Sequence, residues 1–264
     1  ASQPNIGSGT SLGGTGNSGS DPDLTAISTA GTFDEGIIEF DFIPIGDTLT
    51  FNYVFASEEY EEYVCSGYND VFGFFLTGNN PLGGTYNAKN IALVPNPLIP
   101  GTYTTTAVAI NTINPGVAGA YGNAATCAAQ DPNWITYNVF YQTNPTTNFE
   151  YDGRTTVLTA FALVNCGETY HIKLATADAG DAVFDSGVFL EEGSFSANGT
   201  LDALTAVVPP DVTLCLPPYD VNFSAGPTPP PNSYWDFGDG IGTSTQPNPT
   251  YTYGDTGTYV VTFI

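Results

Sequence analysis

Leu49-Thr-Phe-Asn-Tyr-Val-Phe55 puts Leu49, Phe51, Tyr53 and Phe55 on one face of an extended chain. An apolar residue at every second position marks a half-buried β-strand. The period continues outward on both sides. Ile37-Ile-Glu-Phe-Asp-Phe42 sets Ile38, Phe40 and Phe42 against Glu39 and Asp41. Downstream, 71–76, 90–94, 107–110, 138–141, 156–164, 170–176 and 187–190 are further short runs enriched in β-branched and aromatic residues. Gly, Pro and Asn separate them. Helical signals are nearly absent: Ala-rich 118–129 is broken by Gly119 and Gly122 and reads as a loop with a turn or two. Short strands between turns predict an all-β fold, a jelly-roll-like β-sandwich. The Pro-, Gly- and Asn-rich stretch 90–133 reads as long loops that carry function or cover one face.

A second unit begins near 205. Val207-Val-Pro-Pro-Asp211 reads as a hinge, and 219–224, 233–237 and 258–263 as strands of a small sandwich. The expected domains are therefore 1–204, opening with a Gly/Ser-rich loop over 1–20, and 205–264. The chain shows no signal peptide and no apolar run of membrane-spanning length, and it stops inside the strand-like run Tyr259-Val-Val-Thr-Phe-Ile264. It reads as a piece of a longer exported protein, with no direct membrane insertion.

Asp and Glu number 27 against three Lys and Arg, for a formal charge of −24. Lys89, Arg154 and Lys173 cannot neutralise a run of phosphates, which excludes a nucleic-acid partner. Anionic lipid is disfavoured on the same ground. The aromatic content of 13% argues for a folded core and against disorder. Like charges oppose the compact state, and divalent cations are the available counter-charge. Simple solubility in salt water accounts equally for the dispersed acids.

The four cysteines, Cys65, Cys127, Cys166 and Cys215, form no C-x-x-C pair, and His171 is the only histidine. Structural zinc is thereby disfavoured, and an oxidising, extracellular setting fits. Three pairings are possible. Cys65 with Cys127 is favoured by their similar polar-aromatic surroundings, leaving Cys166 with Cys215.

The acids cluster. Ser57-Glu-Glu-Tyr-Glu-Glu-Tyr63 lies just past a strand and before Asn69-Asp70, and Asp178, Asp181 and Asp185 recur at spacings of three and four. Calcium takes six to eight oxygens from such groups. Glu58, Glu59, Asp70, Asp181 and Asp185 are the metal candidates, provided the two loops meet. The alternative is a solvated acidic loop and turn-forming Asp residues. The second segment lacks the ordered EF-hand spacing.

A hydrolase triad has little support from one strand histidine without a G-x-S-x-G elbow. Paired carboxylates leave a glycoside-active enzyme as a third reading, which predicts a deep pocket with a carboxylate of raised pKa. Glycan binding is the second. Tyr60, Tyr63, Tyr68, Tyr121, Trp134 and Tyr137 lie in or beside loops, where packing is their expected role. A glycan-binding module predicts fixed, exposed aromatics beside the acidic loops; the adhesin-spacer reading predicts an aromatic-poor surface.

Phe51-Asn-Tyr-Val-Phe-Ala-Ser-Glu-Glu-Tyr60 and Tyr68-Asn-Asp-Val-Phe-Gly-Phe-Phe-Leu76 resemble the choice-of-anchor L domain of bacterial surface proteins. So do Val108-Ala-Ile-Asn-Thr-Ile-Asn114, Tyr151-Asp-Gly-Arg-Thr-Thr-Val-Leu-Thr159, Glu168-Thr-Tyr-His-Ile-Lys-Leu174 and Asp185-Ser-Gly-Val-Phe-Leu-Glu191. Tyr234-Trp-Asp-Phe-Gly-Asp-Gly240 and Gly257-Thr-Tyr-Val-Val-Thr-Phe263 resemble a PKD domain, an immunoglobulin-like sandwich in which Trp235 is core and Asp236 and Asp239 are turn residues. Relative to these families the sequence departs at both ends, with an incomplete start and a truncated final strand expected. The resemblance implies a non-catalytic segment of a large Bacteroidetes protein, exported by type IX secretion and held at the outer membrane, with roles in adhesion or gliding. Implied partners are other domains of the same chain, secretion components, and surface glycans or proteins.

Overall fold

The computed structural model describes residues 17–144, 150–195, 218–224 and 234–263. The expectations for 1–16, for the hinge at 207–211 and for Cys215 lie outside the described residues.

The first unit contains β1 (Thr32–Phe42), β2 (Thr48–Ser57), β3 (Val71–Asn79), β4 (Thr85–Asn90), β5 (Leu93–Pro95), β6 (Tyr103–Ala107), β7 (Tyr141–Thr143), β8 (Gly153–Thr155), β9 (Leu158–Leu163), β10 (Tyr170–Ala179) and β11 (Ser186–Leu190). One antiparallel sheet runs β1-β10-β3-β4; the other runs β11-β2-β8-β7, with β9 also on β2. A β5-β6 ribbon stands apart.

Alternation turns Leu49, Phe51, Tyr53 and Phe55 of β2 toward Phe72, Phe74 and Leu76 of β3 and Tyr170, Ile172 and Leu174 of β10. The Phe51–Phe74, Tyr53–Phe74 and Phe55–Phe72 ring centroids are each 4.8 Å apart, so the sheets interdigitate as a sandwich. On the opposite face of β3 and β10, Val71, Phe75, Ala175, Ala177 and Ala179 are covered by Leu24 of α1 (Pro22–Ile27). Asp21 caps that helix through Asp23 N and Leu24 N, and Lys173 pairs with Asp21 and Asp23. At the β1 edge the sandwich is thinner: Ile38 and Phe40 remain exposed, and Phe195 packs on Phe40, Phe42 and Phe51.

Two local expectations are corrected. A helix, α2 (Ala124–Gln130), replaces the loop expected there; it starts beyond Gly122, with Asn123 capping Ala125 N. Residues 134–140 form a 3-10 helix where a strand was expected at 138–141. Trp134 and Tyr137, three positions apart, are both buried, a spacing that suits three residues per turn.

In the second unit β12 (Tyr219–Asn222) pairs with β15 (Thr250–Tyr253), and β13 (Trp235–Asp236) lies between β14 (Thr243–Ser244) and β16 (Thr262–Phe263). Trp235, Phe237, Val221, Phe223 and Tyr253 form its core. Asp236 Oδ1 accepts from Gly238 N, and Asp239 Oδ1 from Ile241 N and Gly242 N, so both acids shape turns.

Cys65 and Cys127 form a disulfide across a sequence separation of 62. Replacing both, Cys65→Ser with Cys127→Ser, is expected to lower the unfolding free energy by about 4 kcal/mol on the chain-entropy scale for such a loop. The check is a lower urea midpoint; an unchanged midpoint would show that the crosslink contributes nothing.

Candidate functional site

At one end of the sandwich the inward-facing rows change from apolar to acidic. On β3 the alternation Leu76, Phe74, Phe72 reaches Asp70 one step further. On β10, Ile172, Leu174 and Thr176 lead to Asp178, and on β2, Tyr53 and Phe55 lead to Ser57, followed by Glu58 and Glu59. The carboxylates occupy what would otherwise be the last layer of the core. Glu59 and Asp70 are 1% exposed, Glu58 3% and Asp178 6%.

Some of their oxygens are satisfied. Asp70 Oδ1 accepts from Ala179 N at 2.9 Å and Oδ2 from Ser186 Oγ at 2.7 Å. Glu58 Oε2 accepts from Asp185 N at 3.0 Å, while Glu58 N donates to Asp185 O at 3.0 Å. The backbone bond continues the β2–β11 register, in which Ser57 faces Ser186. Three oxygens are left over: Glu58 Oε1, Glu59 Oε2 and Asp178 Oδ2 are buried without a hydrogen-bond partner. A buried polar group in that state costs free energy, and a buried charge costs more.

The titration behaviour has the same cause. Burial pushes Glu58 up to about 7, Glu59 to about 9, Asp70 to about 7 and Asp178 to about 8. After burial, the neighbouring charges that raise them most are other carboxylates. Asp185 is raised too, by burial and then by Asp34.

The supporting loop is held by backbone. Gly119 N donates to Val64 O, Tyr121 N to Glu62 O and Asn123 N to Cys65 O. A Cβ at Gly122 would stand 1.8 Å from Val64 O, so only glycine permits this approach. The Cys65–Cys127 disulfide closes the same contact.

The two acidic segments therefore meet. Glu58, Glu59, Asp70 and Asp185 share one cluster, and half-buried Asp181 stands at its rim, its Oδ1 accepting from Val183 N. Asp178 is absent from the sequence-derived set yet is among the most deeply placed. Its signal was the parity with Tyr170, Ile172 and Leu174 along one strand. Among the described residues, no three His, Cys, Asp or Glu side chains already stand in metal-holding geometry.

His171 lies on the outer face, its Nδ1 2.8 Å from Asp41 Oδ1. Of the aromatics singled out, Tyr60, Trp134 and Tyr137 are buried, whereas Tyr68 and Tyr121 are exposed. A cleft of about 450 Å³ beside Tyr60 has Glu61, Glu62 and Asp152 in its walls. The carboxylates of raised pKa are not among its lining residues.

The fold and the acidic end define a pair of tandem all-β modules, each with its own core. The chain belongs to the choice-of-anchor L domain family, which matches residues 1–196, and a PKD domain matches residues 203–264. The first family places the chain among cell-surface or extracellular proteins, and both kinds of domain are typically non-catalytic structural modules. No curated protein and no solved structure matches the chain. Among the described residues no helix is long and apolar enough to cross a membrane.

The raised pKa values fix a pH dependence. In the unfolded chain these groups titrate near their ordinary 3.8 and 4.5, so from there to about 9 the folded form holds more protons. Their contribution is intact at the acid end and is lost as pH rises through about 7 to 9. In chelator, the thermal midpoint is expected to fall between about pH 5 and pH 9; a midpoint that rises over that interval would contradict the cluster's description.

Proposed function

We propose that this chain is a non-catalytic contact and spacer segment of a long surface protein of the adhesin or gliding-motility kind. In this reading the protein leaves a Bacteroidetes cell by type IX secretion and stays at the outer membrane. Its acidic end takes a calcium ion that stabilises the sandwich outside the cell. The observation that carries the ion is the trio of buried oxygens without partners, on Glu58, Glu59 and Asp178, among neighbours of like charge. A divalent cation would relieve both the repulsion and the missing bonds. Calcium suits the place because it accepts six to eight oxygens in loose geometry, water included. Glu58, Glu59, Asp70, Asp178 and Asp185 would draw in around it, with Asp181 at the rim. A module crosslinked by Cys65–Cys127 and an ion needs no cytoplasmic help to withstand shear. Other domains of the same chain, secretion components and molecules on neighbouring surfaces are its partners.

The test is a thermal melt of the full chain in millimolar calcium, in matched magnesium and in EGTA. A site filled to 100 times its dissociation constant adds about 2.7 kcal/mol, which moves the midpoint by roughly 5–10 °C for a domain of this size. At pH 9, where Asp178 is ionised, Asp178→Asn is expected to raise the EGTA midpoint by removing a repulsion and to shrink the calcium increment. No increment over magnesium would remove the ion from the account.

A further inference from the structure

Four aromatic rings form a row beside the acidic cluster, with Tyr68 and Tyr121 exposed and Tyr63 and Phe184 half-buried. Tyr63 stacks on Tyr121, with centroids 5.0 Å apart and planes 25° from parallel. Tyr68 meets Tyr63 edge-on at 5.4 Å, and Phe184 lies 5.5 Å from it. The rings come from three separate segments, so the row exists only in the folded chain. Tyr121 is 69% exposed and Tyr68 38%.

The row is rigid at the backbone. Tyr121 N donates to Glu62 O at 2.9 Å, Gly122 leaves no space against Val64 O, and the Cys65–Cys127 bond lies just beyond. Gly180, in a left-handed conformation at φ +105°, lets its turn close on Tyr68. Exposed rings that are already fixed lose little freedom when a ligand stacks on them. The surroundings restrict that ligand. Glu59 and Asp181 both act on the Tyr63 hydroxyl. Carboxylates only accept hydrogen bonds when ionised, and the chain carries a net charge of −24. A ligand that fits has a flat apolar face, several hydroxyl donors and no negative charge. A pyranose ring meets all three conditions; a sialylated or uronic sugar meets only two.

We propose that the Tyr63–Tyr68–Tyr121–Phe184 row binds neutral, hexose-containing glycans. The sugar's C–H face lies on the outer face of Tyr121, and its hydroxyls donate to the half-exposed Asp181 carboxylate. This gives the contact role proposed above a partner class; it rests on that role and does not require the ion.

The experiment applies the full 264-residue chain, disulfides intact, to immobilised neutral oligosaccharides ending in glucose, galactose or mannose. Sialylated glycans and a Lys-rich peptide run beside them, and calorimetry measures the hits in calcium and in EGTA. Binding to neutral glycans is expected, weakened at least about tenfold by Tyr121→Ala, a change of about 1.4 kcal/mol, and retained by Tyr121→Phe, which keeps the stacking ring. Tyr121 is exposed, so the melting point of Tyr121→Ala is expected to match the parent and to exclude misfolding. No neutral glycan bound, binding indifferent to Tyr121→Ala, or capture of the Lys-rich peptide or sialylated glycans alone would each overturn the inference. The calcium melt reads the ion separately, so either result can fail while the other stands.

Discussion

Repulsion among buried carboxylates is the constraint to which this end of the molecule answers. Asp70 and Asp178 take inward positions continuous with the rows that hold Phe72 and Leu174, and Glu58 and Glu59 follow directly from the β2 row. A core layer built of acids must be held together by something other than the hydrophobic effect. Part of the answer is hydrogen bonding: Ala179 N, Asp185 N and Ser186 Oγ each donate to a carboxylate. Glu58, Glu59 and Asp178 each keep a buried oxygen without a partner. Protons or a cation must make up the difference, and above neutral pH protons become scarce.

The surrounding architecture keeps the acids from separating. β11 docks on the end of β2 and carries Asp185 onto Glu58. The 119–123 segment lies against 62–65 with glycine where no side chain fits, and the disulfide fixes that approach. The rigidity that confines the charges also displays Tyr68 and Tyr121 to solvent, with half-buried Tyr63 between them. A plain spacer would have little reason to expose fixed rings there, since burying an aromatic ring is favourable. The acidic end thus combines two surface properties, a demand for counter-charge and a stacking platform, on one scaffold.

Most of the fold was legible because a two-residue period survives any arrangement of strands. β2, β3, β9 and β10 fall where the alternation placed them. The misreadings share a cause: 124–130 and 134–140 are short, the first set by the Asn123 cap and the second by Trp134 and Tyr137 packing onto the sandwich, which composition does not reveal. The acid-rich segments were also legible, and so was the favoured Cys65–Cys127 bridge. That they would meet was not, because the β2–β11 pairing spans more than a hundred residues of chain. Asp178 shows the limit most clearly. Its neighbours in sequence suggest a turn, while its parity with Tyr170 puts it in the interior. The row of Tyr63, Tyr68 and Tyr121 was visible only as loop aromatics, since stacking between separate segments leaves no trace in spacing.

The central claim is that an ion replaces protons among these carboxylates. Calorimetric titration of the intact chain with calcium near pH 7.5, repeated in buffers of different protonation enthalpy, counts the protons released per ion bound. With Glu58 and Asp70 near 7, Asp178 near 8 and Glu59 near 9, the proposed site predicts calcium binding in competition with protons. It also predicts release of about one proton or more per ion. No binding, or binding that releases no protons, would contradict it.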